Sequence, residues 1–376
     1  MQAHAPSEQL NEYTAKKHHN NREENLMSYR LSLLATVAAT TLTALPAASQ
    51  ELNALVWCDH TDDALIKPFE EKFGVTVNLK EYEGTGAALS LIEQSQPGDW
   101  DVLVIDGIDV PRAVSAGILG PLPTEELPYD TMFSDLVMPD NHVIDGKTYA
   151  ISEKFGYNTV SFNSGAVSAD ALADMTKLWS GEFKGSLAVY DYYLPVMGMV
   201  AVGLGMSTAD LSIDDLPAIE AALMALKDSA SSVGEVVSSQ TAIATGEVDI
   251  LVGGGEWVTA GLVSEIPELD WLIPDQGAVR WSQSIGVFAD SKEPDLAVEF
   301  IKHVMSPEGQ AALATSSCYW AMPANAAAGD VMTDAQKTAL RWDDQPAYLA
   351  KAQLYPAPDA ALDAAMQDVW TKFLAR

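Results

Sequence analysis

The sequence predicts an α/β fold of two lobes, each a mixed sheet flanked by helices, and three observations support it. A chain of 376 residues could hold one large or two medium domains, and because single cores split at a few hundred residues two lobes are the default. Short apolar runs alternate with stretches of helical spacing, which argues for a parallel or mixed sheet with helices on both faces. Polar loops follow those runs after Trp57, after Tyr82 and after Ile105, and in such sheets ligands bind beyond the carboxyl ends of the strands.

The elements follow in order. Residues 52–57 form a short apolar strand ending at a polar turn, and 64–73 show helical spacing with Asp62 or Asp63 as N-cap and Gly74 as terminator. Val75, Val77 and Leu79 alternate as a strand, 87–96 reads as a helix, and 102–105 is a buried strand entered from a Pro-Gly-Asp turn. Farther along, 187–190 and 248–252 are apolar runs beside helical stretches at 215–227 and 295–305, which make a second α/β lobe. A C-terminal amphipathic helix spans 359–374, with Asp359 at its N-cap.

Composition narrows the function classes. The chain is 48% hydrophobic and 20% charged, as expected of a globular protein rather than a disordered one. Residues 28–50 carry Arg30, then an apolar stretch of small and aliphatic residues, then Ala47 and Ser49; this is the layout of a secretory signal cut after Ser49, with Met27 as an alternative start. Four acids and four bases balance within residues 1–50, so the net charge of −32 belongs to the remainder. Such a polyanion with no basic patch does not bind nucleic acid or an acidic membrane surface. Two cysteines, Cys58 and Cys318, are too few for a disulfide scaffold and match no zinc spacing.

Enzyme signatures are missing: there is no GxSxG elbow, no Walker loop and no HExxH, and Gly253, Gly254 and Gly255 lack a following Lys-Ser or Lys-Thr. Beyond residue 50 the histidines are His60, His142 in a loop with no visible partner, and His303 within a helix, so the reading is not an enzyme. Aromatic placement is more telling. Trp57, Tyr192, Tyr193, Trp257, Trp281, Tyr319 and Trp320 all fall at expected strand ends or loops. Each one could be a packing residue, but several at the mouths of sheets suit a ligand wall. With Asp59 and Asp106 at two strand ends, such a wall suits an organic cation, although both acids could equally cap helices. An alternative is a ferric ion held by Tyr192 and Tyr193 with His60 and Asp59.

From about residue 52 onward the chain resembles the periplasmic spermidine/putrescine-binding proteins of bacterial ABC importers. The resemblance rests on VWCDHTDDALIKPFEEKFGVTVNLKEYEGTG, GDWDVLVIDGIDVPRAVSAGILGPL, LWSGEFKGSLAVYD, GAVRWSQSIGV with EFIKHVMSPEGQAA, and CYWAMPAN, in family order. It implies a two-lobed periplasmic-binding-protein fold, type II-like, closing like a hinge over a cleft. One lobe would hold 51–155 plus 282–329 and the other 156–281 plus 330–376. It also implies a periplasmic monomer with no cofactor or metal and no direct membrane insertion after signal cleavage. Such a protein captures a small organic solute and delivers it to a membrane permease. The family's first-loop ligand residues match Trp57, Asp59 and His60. Its later contacts match Asp106, Trp281, Gln283 and Trp320, and Trp257 stands near a family Trp that is Gly254 here.

The departures bear on the ligand. Two family acids fall on Tyr192 and Pro195, and a third is Gln283. Each buried ammonium needs a paired charge, so fewer anions favour a smaller or less charged ligand, such as a monoamine, a quaternary ammonium, an amino acid derivative or another zwitterion, while a polyamine stays the default that the resemblance implies. Because Cys58 and Cys318 both flank family contact positions, the resemblance also implies a disulfide near the cleft.

Overall fold

The computed structural model describes residues 50–376. The export signal, its cut after Ser49 and the start at Met27 fall on residues 1–49 and so lie outside the described residues. Strands β1 (Glu51–Val56), β2 (Thr76–Glu81) and β3 (Val102–Asp106) run parallel in the order β2-β1-β3. Between β1 and β2 lies the helix Asp63–Phe73, which buries Leu65, Ile66 and Phe69. Asp62 caps it, its carboxylate accepting from the Ala64 N–H at 3.4 Å, and Gly74 ends it at φ 67°, a left-handed conformation that costs glycine little. The next helix, Thr85–Gln94, begins two residues earlier than its spacing predicts. Gly84, at φ 76°, makes the sharp entry that periodicity cannot show.

A small hairpin, β4 (Val143–Ile144) and β5 (Lys147–Thr148), precedes the longest strand, β6 (Ile151–Asn163). The second half of the chain supplies β7 (Leu187–Tyr190), β8 (Ala230–Gly234), β9 (Ile250–Gly254), β10 (Leu269–Leu272) and β11 (Ala278–Val287). The short strands β12 (Met322–Pro323) and β13 (Ala352–Leu354) complete the set. The order is β2-β1-β3-β11-β6-β9-β7-β8, with β10 and β12 on β6 and β13 on β11. Neither β6 nor β11 is evident from alternation. Both lie antiparallel to their neighbours in that order, although β13 runs parallel to β11, and they carry the sheet from one half to the other: β6 meets β11 at residues 151–158 and β9 at 159–162.

The molecule is an α/β protein of two lobes, and its cores follow the strands. One apolar cluster packs β1 and β3 against the helices Asp63–Phe73 and Pro294–Val304, through Leu52, Phe69, Val104 and Phe300. A smaller one, including Leu55, Leu103 and Ile105, covers the opposite face of the same strands. The largest surrounds β7 and β9 and takes in Val189, Val252 and Trp370. Helix Tyr193–Gly203 is buried from Leu194 through Gly203, so it is a core helix, apolar all round. The expected helices appear as Leu216–Ser229, Pro294–Val304 and Ala360–Ala375. Asp359 caps the last of these, accepting from the Ala361 and Leu362 N–H groups.

Candidate functional site

A cavity of about 420 Å³ opens where the loops after β1, β2, β7 and β8 meet the crossing strands β6 and β11. Trp57 and Tyr82 line it from the first half of the chain, and Tyr190, Tyr192 and Trp257 from the second. Trp281 of β11, Tyr319 and Tyr355 complete the aromatic wall. The rings brace one another edge to face: Trp57 with Tyr82 at 6.4 Å, Tyr190 with Tyr192 at 6.1 Å and Trp281 with Tyr319 at 6.2 Å. Trp281 lies across Gly156, its register partner on β6. A methyl group on Gly156 would meet Glu256 Oε1 at 1.8 Å and the indole at 2.5 Å.

Polar groups on the wall are few. Asn158 donates to the Gly253 carbonyl at 2.7 Å and accepts from the Tyr355 hydroxyl at 2.6 Å. The carboxylates on the lining are Glu81, Glu83, Asp191 and Glu235. Partial burial, then the neighbouring Glu235 and Asp191, push the Glu83 carboxyl above the usual range, and the Val236 backbone N–H works against them. Carboxylates from the two halves of the chain thus line one cavity, and Glu83 feels the charge of both Glu235 and Asp191. Asp191 also accepts from Trp370 Nε1 at 3.0 Å.

Of the residues expected at the site, Trp57, Tyr192, Trp257, Trp281 and Tyr319 line this cavity, as do Cys58 and Cys318, which are joined as a disulfide with their Cα atoms 6.0 Å apart. The others do not. Tyr193 turns away and donates to Asp363 at 2.5 Å, and Trp320 lies against Gly261 and packs on the first core. Asp106 is buried behind the wall, where it accepts from Tyr192 at 3.0 Å.

Asp59, His60 and Gln283 are fully buried. The single turn Cys58–Thr61 directs Asp59 and His60 inward, where they meet Glu153 and Lys154 of β6. Lys154 Nζ lies 2.9 Å from Asp59, His60 Nδ1 3.0 Å from Asp59 and His60 Nε2 3.0 Å from Glu153; Gln283 donates to Asp59 at 3.3 Å. Burial opposes ionisation of Asp59, but the Lys154 ammonium and the His60 imidazolium outweigh it and hold the carboxyl well below its usual range. Burial likewise opposes protonation of His60, yet Glu153 and Asp59 raise it to about 10. Two acids and two bases therefore compensate one another beneath the cavity floor. Lys154 also donates to the Tyr319 carbonyl at 3.1 Å and sits 4.1 Å from its ring centroid, so this network holds one wall of the cavity. The network leaves His60 and Asp59 no role as ferric ligands, and the Tyr192 and Tyr193 hydroxyls point to different carboxylates. His142 does have a partner, Ser284 Oγ at 2.9 Å from Nε2, and burial pushes it down to about 4.

Sequence reasoning missed Glu81, Glu83, Asp191, Glu235, Tyr190, Tyr355, Tyr82 and Asn158 as wall residues. Glu81, Tyr82 and Glu83 flank a strand end already marked by its Glu-Gly-Thr-Gly loop, and Asp191 directly follows a recognised strand, so position would have found these four.

Residues 64–339 match the family model of the bacterial extracellular solute-binding protein, and the chain belongs to that family. It is 25% identical over 258 residues to the spermidine/putrescine-binding periplasmic protein of Escherichia coli strain K12, covering 67% of this chain and 72% of that one. Its fold superposes on a putative spermidine/putrescine ABC transporter protein from Listeria monocytogenes with a TM-score of 0.75, at 20% identity, over 86% of this chain and 99% of that one. A periplasmic binding protein from A. tumefaciens R10, in complex with agropinic acid, superposes with a TM-score of 0.66 at 18% identity, over 87% and 99% of the two chains. The protein is thus a solute-binding protein of the transport type, from a family of carriers rather than enzymes. Among the described residues, no helix is long and apolar enough to cross a membrane.

Proposed function

We propose that the cavity captures a small organic solute with one cationic centre, a monoamine, quaternary ammonium or zwitterion, for delivery to the permease of an ABC importer. The observation that carries this reading is an eight-ring wall that also carries the carboxylates of Glu83, Asp191 and Glu235, the last two acting on the first, while Asp59 is spent on internal cations. Ring faces and a carboxylate cluster recognise an ammonium through quadrupole and charge. The matched relative from E. coli is named for spermidine and putrescine, which supports amine chemistry without fixing the number of charges.

In this reading the protein is an exported periplasmic monomer freed from its signal peptide, and it performs no covalent chemistry. The lobes comprise 51–155 with 282–329 and 156–281 with 330–376, and they pivot where β6 and β11 cross between them. Thermal-shift and calorimetric titration against monoamines, betaines, amino acid derivatives, polyamines and organosulfonates tests it. An amine or betaine at 100 times its Kd stabilises the fold by about 2.7 kcal/mol without turnover. Stabilisation by anionic or neutral solutes alone, or product formation, defeats it.

A further inference from the structure

Tyr192 and Asp106 come from opposite halves of the sheet. Asp106 ends β3, and Tyr192 follows β7. The Tyr192 hydroxyl donates to Asp106 Oδ2 at 3.0 Å. Tyr192 lines the cavity, whereas Asp106 is 1% exposed and does not, so the phenol stands between the carboxylate and the space a ligand would occupy. The ring is held there by edge contacts with Tyr190, Tyr193 and Tyr355, each at 6.1 Å.

We infer that Tyr192 is a specificity-determining residue, which occupies Asp106 and screens it from the cavity so that the site takes one ammonium group rather than the two of an α,ω-diamine. The inference rests on the amine-binding reading above. A diamine needs a carboxylate or its equivalent for each buried ammonium, because an unpaired buried charge is costly. The clustered acids Glu83, Asp191 and Glu235 serve one such group. Asp106 could serve another, but a neutral hydroxyl already donates to it. The phenol offers the carboxylate a hydrogen bond without a compensating charge, whereas an ammonium offers both, so an ammonium would be the better partner if it could reach.

The test is calorimetric titration of the wild-type chain, Tyr192→Ser and Tyr192→Phe with a straight-chain monoamine and the α,ω-diamine of equal length. Wild type prefers the monoamine. Tyr192→Ser, which opens the path to Asp106, shifts the diamine-to-monoamine affinity ratio by about tenfold or more toward the diamine. Adding Asp106→Asn to Tyr192→Ser removes that gain. Tyr192→Phe keeps the ring and its packing and removes the hydroxyl alone, so the path stays closed and the ratio stays near that of wild type; Tyr192→Ala, titrated alongside, opens the path and decides the matter if the serine variant does not fold. A ratio unchanged in the folded serine or alanine variant, a gain that survives Asp106→Asn, or equal wild-type affinity for both amines overturns the inference and leaves amine binding intact. A wild-type chain that binds neither amine nor betaine overturns the amine-binding reading itself.

Discussion

Glu153 and Lys154 are consecutive residues of one strand, yet both are fully buried against the same pair, Asp59 and His60. Side chains of successive strand residues ordinarily point to opposite faces. Here Gln283 of β11 pairs with Lys154 and Ser284 with Ser152, so one step on β11 answers two on β6 and Glu153 is the extra residue. Such a bulge re-aims side chains, and this one brings opposite charges to one point beneath the cavity.

Breaking that network on one side is therefore costly. Lys154→Met leaves the Asp59 carboxylate buried without its ammonium and lowers stability by about 3–5 kcal/mol. Asp59→Asn combined with Lys154→Met recovers much of the loss. Urea denaturation of the two variants checks this, and a single-variant loss below about 1 kcal/mol rejects the compensated-network account.

Glu256 sets an alkaline limit. Burial raises its carboxyl to about 8, against the opposing effect of backbone N–H groups from Glu256 and Tyr157. Because the folded value is the higher one, its contribution to stability is complete below the ordinary 4.5 and is lost as pH rises through about 8. The Tm of Glu256→Gln therefore falls less than wild type between pH 6 and 9. Parallel Tm curves for the two proteins over that range would contradict this.

Gly156→Ala sets a methyl group 1.8 Å from Glu256 Oε1 and 2.5 Å from the Trp281 ring, both buried. Overpacking of this kind costs about 1–3 kcal/mol, and here it also displaces a wall of the cavity. Thermal melts and ligand titration show both effects together; a variant with wild-type affinity means that Trp281 does not shape the site.

Cation affinity falls as pH drops. Glu83 is held above the usual carboxylate range, so it gains a proton before an ordinary glutamate does and then ceases to attract an ammonium. Titration of the same amine between pH 7.5 and 5 shows weakening affinity in wild type and a flatter profile in Glu83→Gln. Identical profiles place the ligand away from Glu83.

Much of the fold was legible. The apolar run that became β1 ends at a polar turn, the helix after it carries its cap and its glycine, and β7 begins and ends where the run 187–190 does. Strands β6 and β11 were not legible, because Glu153, Lys154, Asn158, Ser282 and Gln283 interrupt any apolar pattern. Their partners lie far along the chain, as Asp59 does for both Lys154 and Gln283, and a local window cannot see them. The same limit explains the site. Rings at strand ends identified five of the eight rings of the aromatic wall, but Asp59 and His60 read as ligand residues because Lys154 and Glu153, their partners, lie far along the chain.

Cys58 and Cys318 stand 260 positions apart, and their bridge closes a loop holding most of the described chain. A crosslink over so long a loop stabilises by about 3–5 kcal/mol in the chain-entropy picture, and replacing both cysteines by serine lowers the denaturation midpoint accordingly. A thiol titration of the unreduced, unfolded protein returns none if the bridge forms and two if it does not. Since synthesis proceeds from the amino terminus, Cys58 emerges long before Cys318, and β11 must still be slotted between β3 and β6. The cavity is consequently among the last features a nascent molecule acquires: a truncated or interrupted product carries the first three strands but lacks the wall that Trp281 and Tyr319 supply.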